Sequence, residues 1–77
     1  MTLDEAARQL ELAAHDAQVA FDCVGLGDLE RAHTHAITAR AAMDSAENVL
    51  RHALGEFTPD QAEQAGEAAM RQLQGER

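Results

Sequence analysis

The stretch VGLGDLERAHTHAITARAAMDSAENVLRHAL, Val24 to Leu54, decides the fold. Two glycines near its start break any preceding helix, Asp28 follows, and neither glycine nor proline occurs from Leu29 to Leu54. An aspartate there accepts from free N–H groups of a first helical turn, so a helix is predicted over 29–54. Gly55 ends it as the usual left-handed C-terminal residue. Leu29, Ala36, Met43 and Leu50 recur every seventh residue, and so do Ala32, Ala39, Ala46 and Ala53, the two sets together reading as the seam positions of a heptad. Small side chains at one layer let a second backbone approach closely.

Working outward towards the N-terminus, Thr2 with Glu5 has the spacing of a capping box, and no breaker intervenes before Gly25. The first helix is therefore predicted over 3–24. At about 100° per residue it places Leu3, Ala6, Leu10, Ala13, Ala17, Ala20, Phe21 and Val24 on one side. Asp4, Glu11, His15, Gln18 and Asp22 fall on the other. Ala6, Ala13 and Ala20 match the alanine series of the second helix, and the GLGD turn is short, so the two helices are expected to form an antiparallel hairpin.

Towards the C-terminus, FTPDQAEQ carries a complete start signal: Thr58 as cap, Pro59 at the first helical position, Asp60 at the positive helix end and Gln61 closing the box. The third helix is predicted over 59–74, weakened by Gly66, with a frayed tail over 75–77. Its apolar stripe is Ala62, Ala65, Ala69, Met70 and Leu73. The chain reads as a single all-α domain over 1–77, an antiparallel helical hairpin plus a short third helix. Leu12, Val19 and Cys23 of the first helix, and Ile37 and Ala41 of the second, lie off the main stripes. A lone hairpin would leave them wet, so the expectation is that helix three and a second copy share in covering them. The copies would dock hairpin against hairpin as a dimeric bundle with helix three outside.

Size and composition agree with self-association. A chain of 77 residues buries a modest core, only 3% of it is aromatic, and its single cysteine cannot form an internal disulfide. With 14 acidic residues against 6 arginines the formal net charge is −8. A phosphate backbone would be repelled, so direct nucleic-acid binding is not expected. The acidic start MTLDEAARQL and the lack of any span-length apolar run argue against export and membrane insertion, which leaves the cytoplasm as the expected location.

The histidines are the candidate chemistry. His33 and His35 are two residues apart, so on a helix they point about 200° from one another and cannot share an ion. Glu30 and His33 can cooperate. Their Glu-x-x-His spacing resembles the carboxylate-bridged di-iron helices of ferritin-like proteins, and that resemblance implies an inward-facing metal pair. Glu11 and His15 are spaced for a second such pair. The ordinary alternative for all four is a solvated helix face, and no metal or other cofactor is expected. His35 lies at the edge of the apolar stripe, where a histidine packs with one nitrogen bonded or acts as a pH-sensitive contact. His52 is placed to interact with the C-terminus of its helix. Cys23 reads as a small buried hydrophobe.

VGLGDLERAHTHAITARA also resembles the turn and second helix of a tetratricopeptide repeat, with Gly27-Asp28 at the turn and Ala32 and Ala39 where small residues pack. The likeness covers about one repeat and implies a helical hairpin. Asp16 and Cys23 stand where that family has aromatics, the second helix runs on past Asp44, and no second copy follows.

The function expected from these residues is a small acidic non-enzymatic protein–protein interaction module, homodimeric, that docks a further protein. Its interface residues would be Leu10, Leu12, Val19, Phe21, Ile37, Ala39, Met43 and Leu50. Two other readings remain: an acidic mimic of nucleic acid that inhibits a DNA- or RNA-binding protein, and a ferritin-like metal-binding bundle built on Glu30, His33, Glu11 and His15.

Overall fold

The structure is a computed structural model that describes residues 3–75. Three helices make it up: α1 (Leu3–Gly25), α2 (Leu29–Glu56) and α3 (Pro59–Gly75), and no strand occurs among the described residues. Thr2, the expected cap of α1, and the tail residues 76 and 77 lie outside that range.

Local chemistry explains each boundary. The Asp28 amide donates to the Cys23 carbonyl at 2.9 Å and the Gly27 amide to the Val24 carbonyl at 3.0 Å, the two bonds of a Schellman C-cap. That motif needs a left-handed residue between them, and Gly27 supplies it with φ +74°. Asp28 then changes role within one residue: its side chain accepts from the Arg31 amide and so caps α2. One residue closes one helix and opens the next, which is why the hairpin is tight. At α3, Thr58 and Gln61 form the reciprocal box, Gln61 N–H to Thr58 Oγ1 at 3.2 Å and Thr58 N–H to Gln61 Oε1 at 2.9 Å. The expectation for Gly55 is corrected: α2 passes through it to Glu56, its φ is not positive, and Phe57 in extended conformation is the C-cap.

α1 and α2 pack along their length as the principal contact, and α3 leans on α1. The seam of α1 is Ala6, Ala13, Asp16, Ala20 and Cys23; that of α2 is Ala32, His35, Ala39, Ala42, Ala46, Val49 and Ala53. Both follow three-and-four spacing, the pattern of helices packed side by side. Ala46 is wholly buried, and no large side chain is fully buried among the described residues. The core is therefore made by close approach of backbones, each alanine contributing about one methyl group, on the order of 0.8 kcal/mol.

This corrects half of the expected seam. Ala32, Ala39, Ala46 and Ala53 lie in it, but Leu29, Ala36, Met43 and Leu50 are exposed, and His35, Ala42 and Val49 take their place. On α1, Ala6 and Ala13 are buried, whereas Ala17, Phe21 and Val24 are exposed. Bulky residues between the helices would have held the backbones apart, so alanine takes the interior and the larger side chains are displaced outward. The molecule measures 46 × 26 × 15 Å, a flat and elongated shape.

Candidate functional site

Two features of this fold bear chemistry or binding capacity. The first is polar. Asp16 is 7% exposed in the middle of the α1 seam, and His35 Nδ1 lies 2.9 Å from its Oδ1 across the interface. An ionised carboxylate only accepts, so Nδ1 carries the proton and donates. His35 is thus a half-buried seam residue, further inside than the edge position expected from sequence. None of the surface grooves described below is lined by either residue.

The other titratable candidates are dispersed. Glu30 and His33 are both exposed. Glu11 and His15 line an open depression of about 380 Å³ with Arg8 and Leu12, where a guanidinium would oppose a cation. Among the described residues no three His, Cys, Asp or Glu side chains gather as a metal ligand set. His52 Nδ1 donates to the Asn48 carbonyl at 2.8 Å, one turn back in its own helix. Cys23 is a buried free thiol. Arg51 bonds to Glu47 at 3.0 Å and Asn48 at 2.7 Å, and Arg31 sits 3.9 Å from Asp28.

The second feature is apolar and larger. Leu3, Ala7, Leu10, Ala14, Ala17, Phe21 and Val24 form a second unbroken stripe on α1, rotated by about 100° from its seam. On α2, Leu29, Ala36, Met43 and Leu50 form a stripe about 80° from its seam in the same rotational sense. A twofold axis through the seam relates two antiparallel helices, so equal offsets in the same sense bring both stripes to the same side of the hairpin. α3 covers only one end of it: Leu10 and Ala7 border Leu73 and Met70, and Leu3 borders Ala65 and Ala69. From Ala14 to the turn the face is uncovered, with Phe21 74% and Leu29 70% exposed.

The expected interface residues divide accordingly. Leu10, Phe21, Met43 and Leu50 are exposed and lie on this face. Val19 and Ala39 are half-buried, Ala39 within the seam. Leu12 and Ile37 are exposed away from the face, and α3, which packs beside Leu3, Ala7 and Leu10, does not cover them. At the open end of the hairpin, opposite the turn, an open apolar groove of about 610 Å³ is lined by Leu3, Leu50, Leu54, Phe57, Pro59 and Ala62. The sequence reading did not anticipate it, because it forms only where α2, α3 and the start of α1 meet.

No helix among the described residues is long and apolar enough to cross a membrane. No family model, no curated protein and no solved structure matches the chain.

Proposed function

We propose that this chain is a small acidic, non-enzymatic interaction module of the cytoplasm that forms a homodimer through the uncovered face of its hairpin. The observation that supports this reading is the continuous apolar strip of Leu10, Ala14, Ala17, Phe21 and Val24 beside Leu29, Ala36 and Met43. Contiguous apolar surface on a small protein marks an interaction site. Ala14, Ala17 and Ala36 at its centre permit close helix approach, and Phe21, Val24 and Leu29 supply larger side chains at the turn end.

A second copy suits this surface despite the net charge of −8. Asp22 and Glu30 are rotated away from the face, so their carboxylates stay in water when two such faces meet, and Glu11 flanks the end that α3 borders. α3 occupies the other end of the same face, so the copies overlap by their turn ends, and α3 flanks that contact rather than standing outside a full-length four-helix core. The uncovered strip from Ala14 to Val24 is about 15 Å long at 1.5 Å per residue and two helices wide, on the order of 300 Å² of projected area. That is at the small end for a specific interface, so the dimer is expected to be concentration-dependent.

Sedimentation velocity over a concentration series tests the reading. Wild type should move from monomer to dimer as concentration rises, and Phe21→Glu should remain monomeric with an unchanged helical spectrum. Wild type that stays monomeric, or a Phe21→Glu variant that dimerises as wild type does, would refute it.

A further inference from the structure

α1 contacts α2 along its length and α3 over its N-terminal half, whereas α2 and α3 scarcely touch each other. That is the arrangement of three corners of a square bundle, with α1 at the shared corner. The fourth corner, diagonal to α1, lies between the C-terminal half of α2 and the outer side of α3. Both walls turn apolar side chains toward it. On α2 these are Met43, Leu50 and Leu54, about 80° from the seam that faces α1; on α3 they are Ala62, Gly66 and Met70, about 80° from Ala65, Ala69 and Leu73. A square bundle requires close to that angle at each wall.

The space between the walls is open. The 610 Å³ groove lies at its head, with Leu54 84% exposed beside it. A shallower depression of about 600 Å³ continues from Ala62 past Gly66 to Met70 and Gln74. Gly66 presents no side chain there, and nothing lies within 4 Å of where a Cβ would be.

The surrounding charge is predominantly acidic. Glu63 and Glu67 line the depression together with a single arginine, Arg71, and Glu56 and Asp60 lie close by in sequence. Across from them, Arg51 is already bonded to Glu47 and Asn48. A second copy, with the same net charge of −8, would meet like charge there. An anionic bilayer would meet the same repulsion.

We infer that this trough is a vacant fourth-helix position that takes one amphipathic helix of a partner protein, apolar toward Leu50 and Leu54 and basic on its flanks. The inference rests on the interaction-module reading and specifies the chemistry of its second partner. Helix-in-groove recognition uses apolar anchors one and two turns apart, and the length of α3 accommodates about 14 residues at 1.5 Å each.

The test uses the full chain and a labelled synthetic helix of about 14 residues, leucine on one face and lysine on the flanks. A sequence-scrambled isomer and a version with glutamate for lysine serve as controls. Fluorescence anisotropy should show one amphipathic lysine peptide per chain, binding that weakens as salt rises above about 0.15 M, and affinity at least about tenfold lower for both controls. Amide shifts should centre on Leu50, Leu54, Ala62 and Met70. Leu54→Gln should weaken binding several-fold while leaving the helical spectrum and self-association as in wild type. Equal binding of the scrambled peptide, unchanged affinity of Leu54→Gln, or shifts centred on Phe21 and Val24 would overturn the inference. Self-association is read by sedimentation without peptide, so failure of the dimer reading and failure of the trough reading are separate results.

Discussion

Asp16 and His35, 19 positions apart in sequence, meet at 2.9 Å inside a seam otherwise built almost wholly from alanine. Alanine layers fit one another in several registers, because each layer looks like the next. A buried carboxylate that must meet one imidazole penalises every register but one, the role a lone polar seam residue plays in coiled coils. Asp16→Ala should therefore cost about 1–3 kcal/mol, since it leaves the half-buried ring without its acceptor. Combined with His35→Ala in a double-mutant cycle followed by urea denaturation, the pair should show a coupling of about 0.5–3 kcal/mol. Additive losses would mean that the contact carries no energy.

Ala46 is the tightest point of the α1–α2 interface, with no solvent exposure. Ala46→Leu should force the helices apart and lower stability by about 1–3 kcal/mol, read as a fall in the thermal midpoint. Ala39→Glu, which puts a charge into the same seam, should be worse. A midpoint unmoved by either change would show that the alanine layers are not in contact.

Two glycines separate backbone strain from helix propensity. Nothing lies within 4 Å of a Cβ added at Gly27 or at Gly55, so packing is not at issue at either. Gly27 has φ +74°, and Gly27→Ala should destabilise by about 1–2 kcal/mol. Gly55 is an ordinary helical residue, and Gly55→Ala should stabilise by about 0.4–1 kcal/mol. Opposite signs in chemical denaturation are the expected result; the same sign would contradict the Schellman turn.

Thr58 holds the start of α3 through its exchange with Gln61. Thr58→Ala should remove about 1 kcal/mol of capping energy and loosen α3 selectively. Amide exchange is the measurement: protection should fall at residues 60–66 and stay unchanged around Ala32 and Ala46. Uniform loss along the chain would mean that α3 and the hairpin unfold as one unit.

The helix starts at Asp28 and Thr58 were legible in the sequence because capping is local: the donor, acceptor and turn residue lie within a few positions of each other. The seam was only half legible. α2 carries two apolar heptad series, and hydrophobic size favours Leu29, Met43 and Leu50, whereas close packing favours the alanines. Asp16 was not recognised as a seam residue, although it lies in line with Gln9 and Cys23 at seven-residue spacing and so shares their face. An acid on that series facing His35, which shares its series with Ala42 and Val49, was the available signal. The groove beside Leu54 could not be read at all, since it depends on how α3 leans on α1.

Native mass spectrometry of protein purified without a chelator or a metal-binding tag tests the central claim most directly, because subunit number and bound metal appear in one spectrum. The expected result is a metal-free dimer whose share grows with concentration. A monomer at every concentration would contradict self-association through Phe21 and its neighbours. An assembly carrying metal in fixed ratio would instead turn attention to Glu30 and His33.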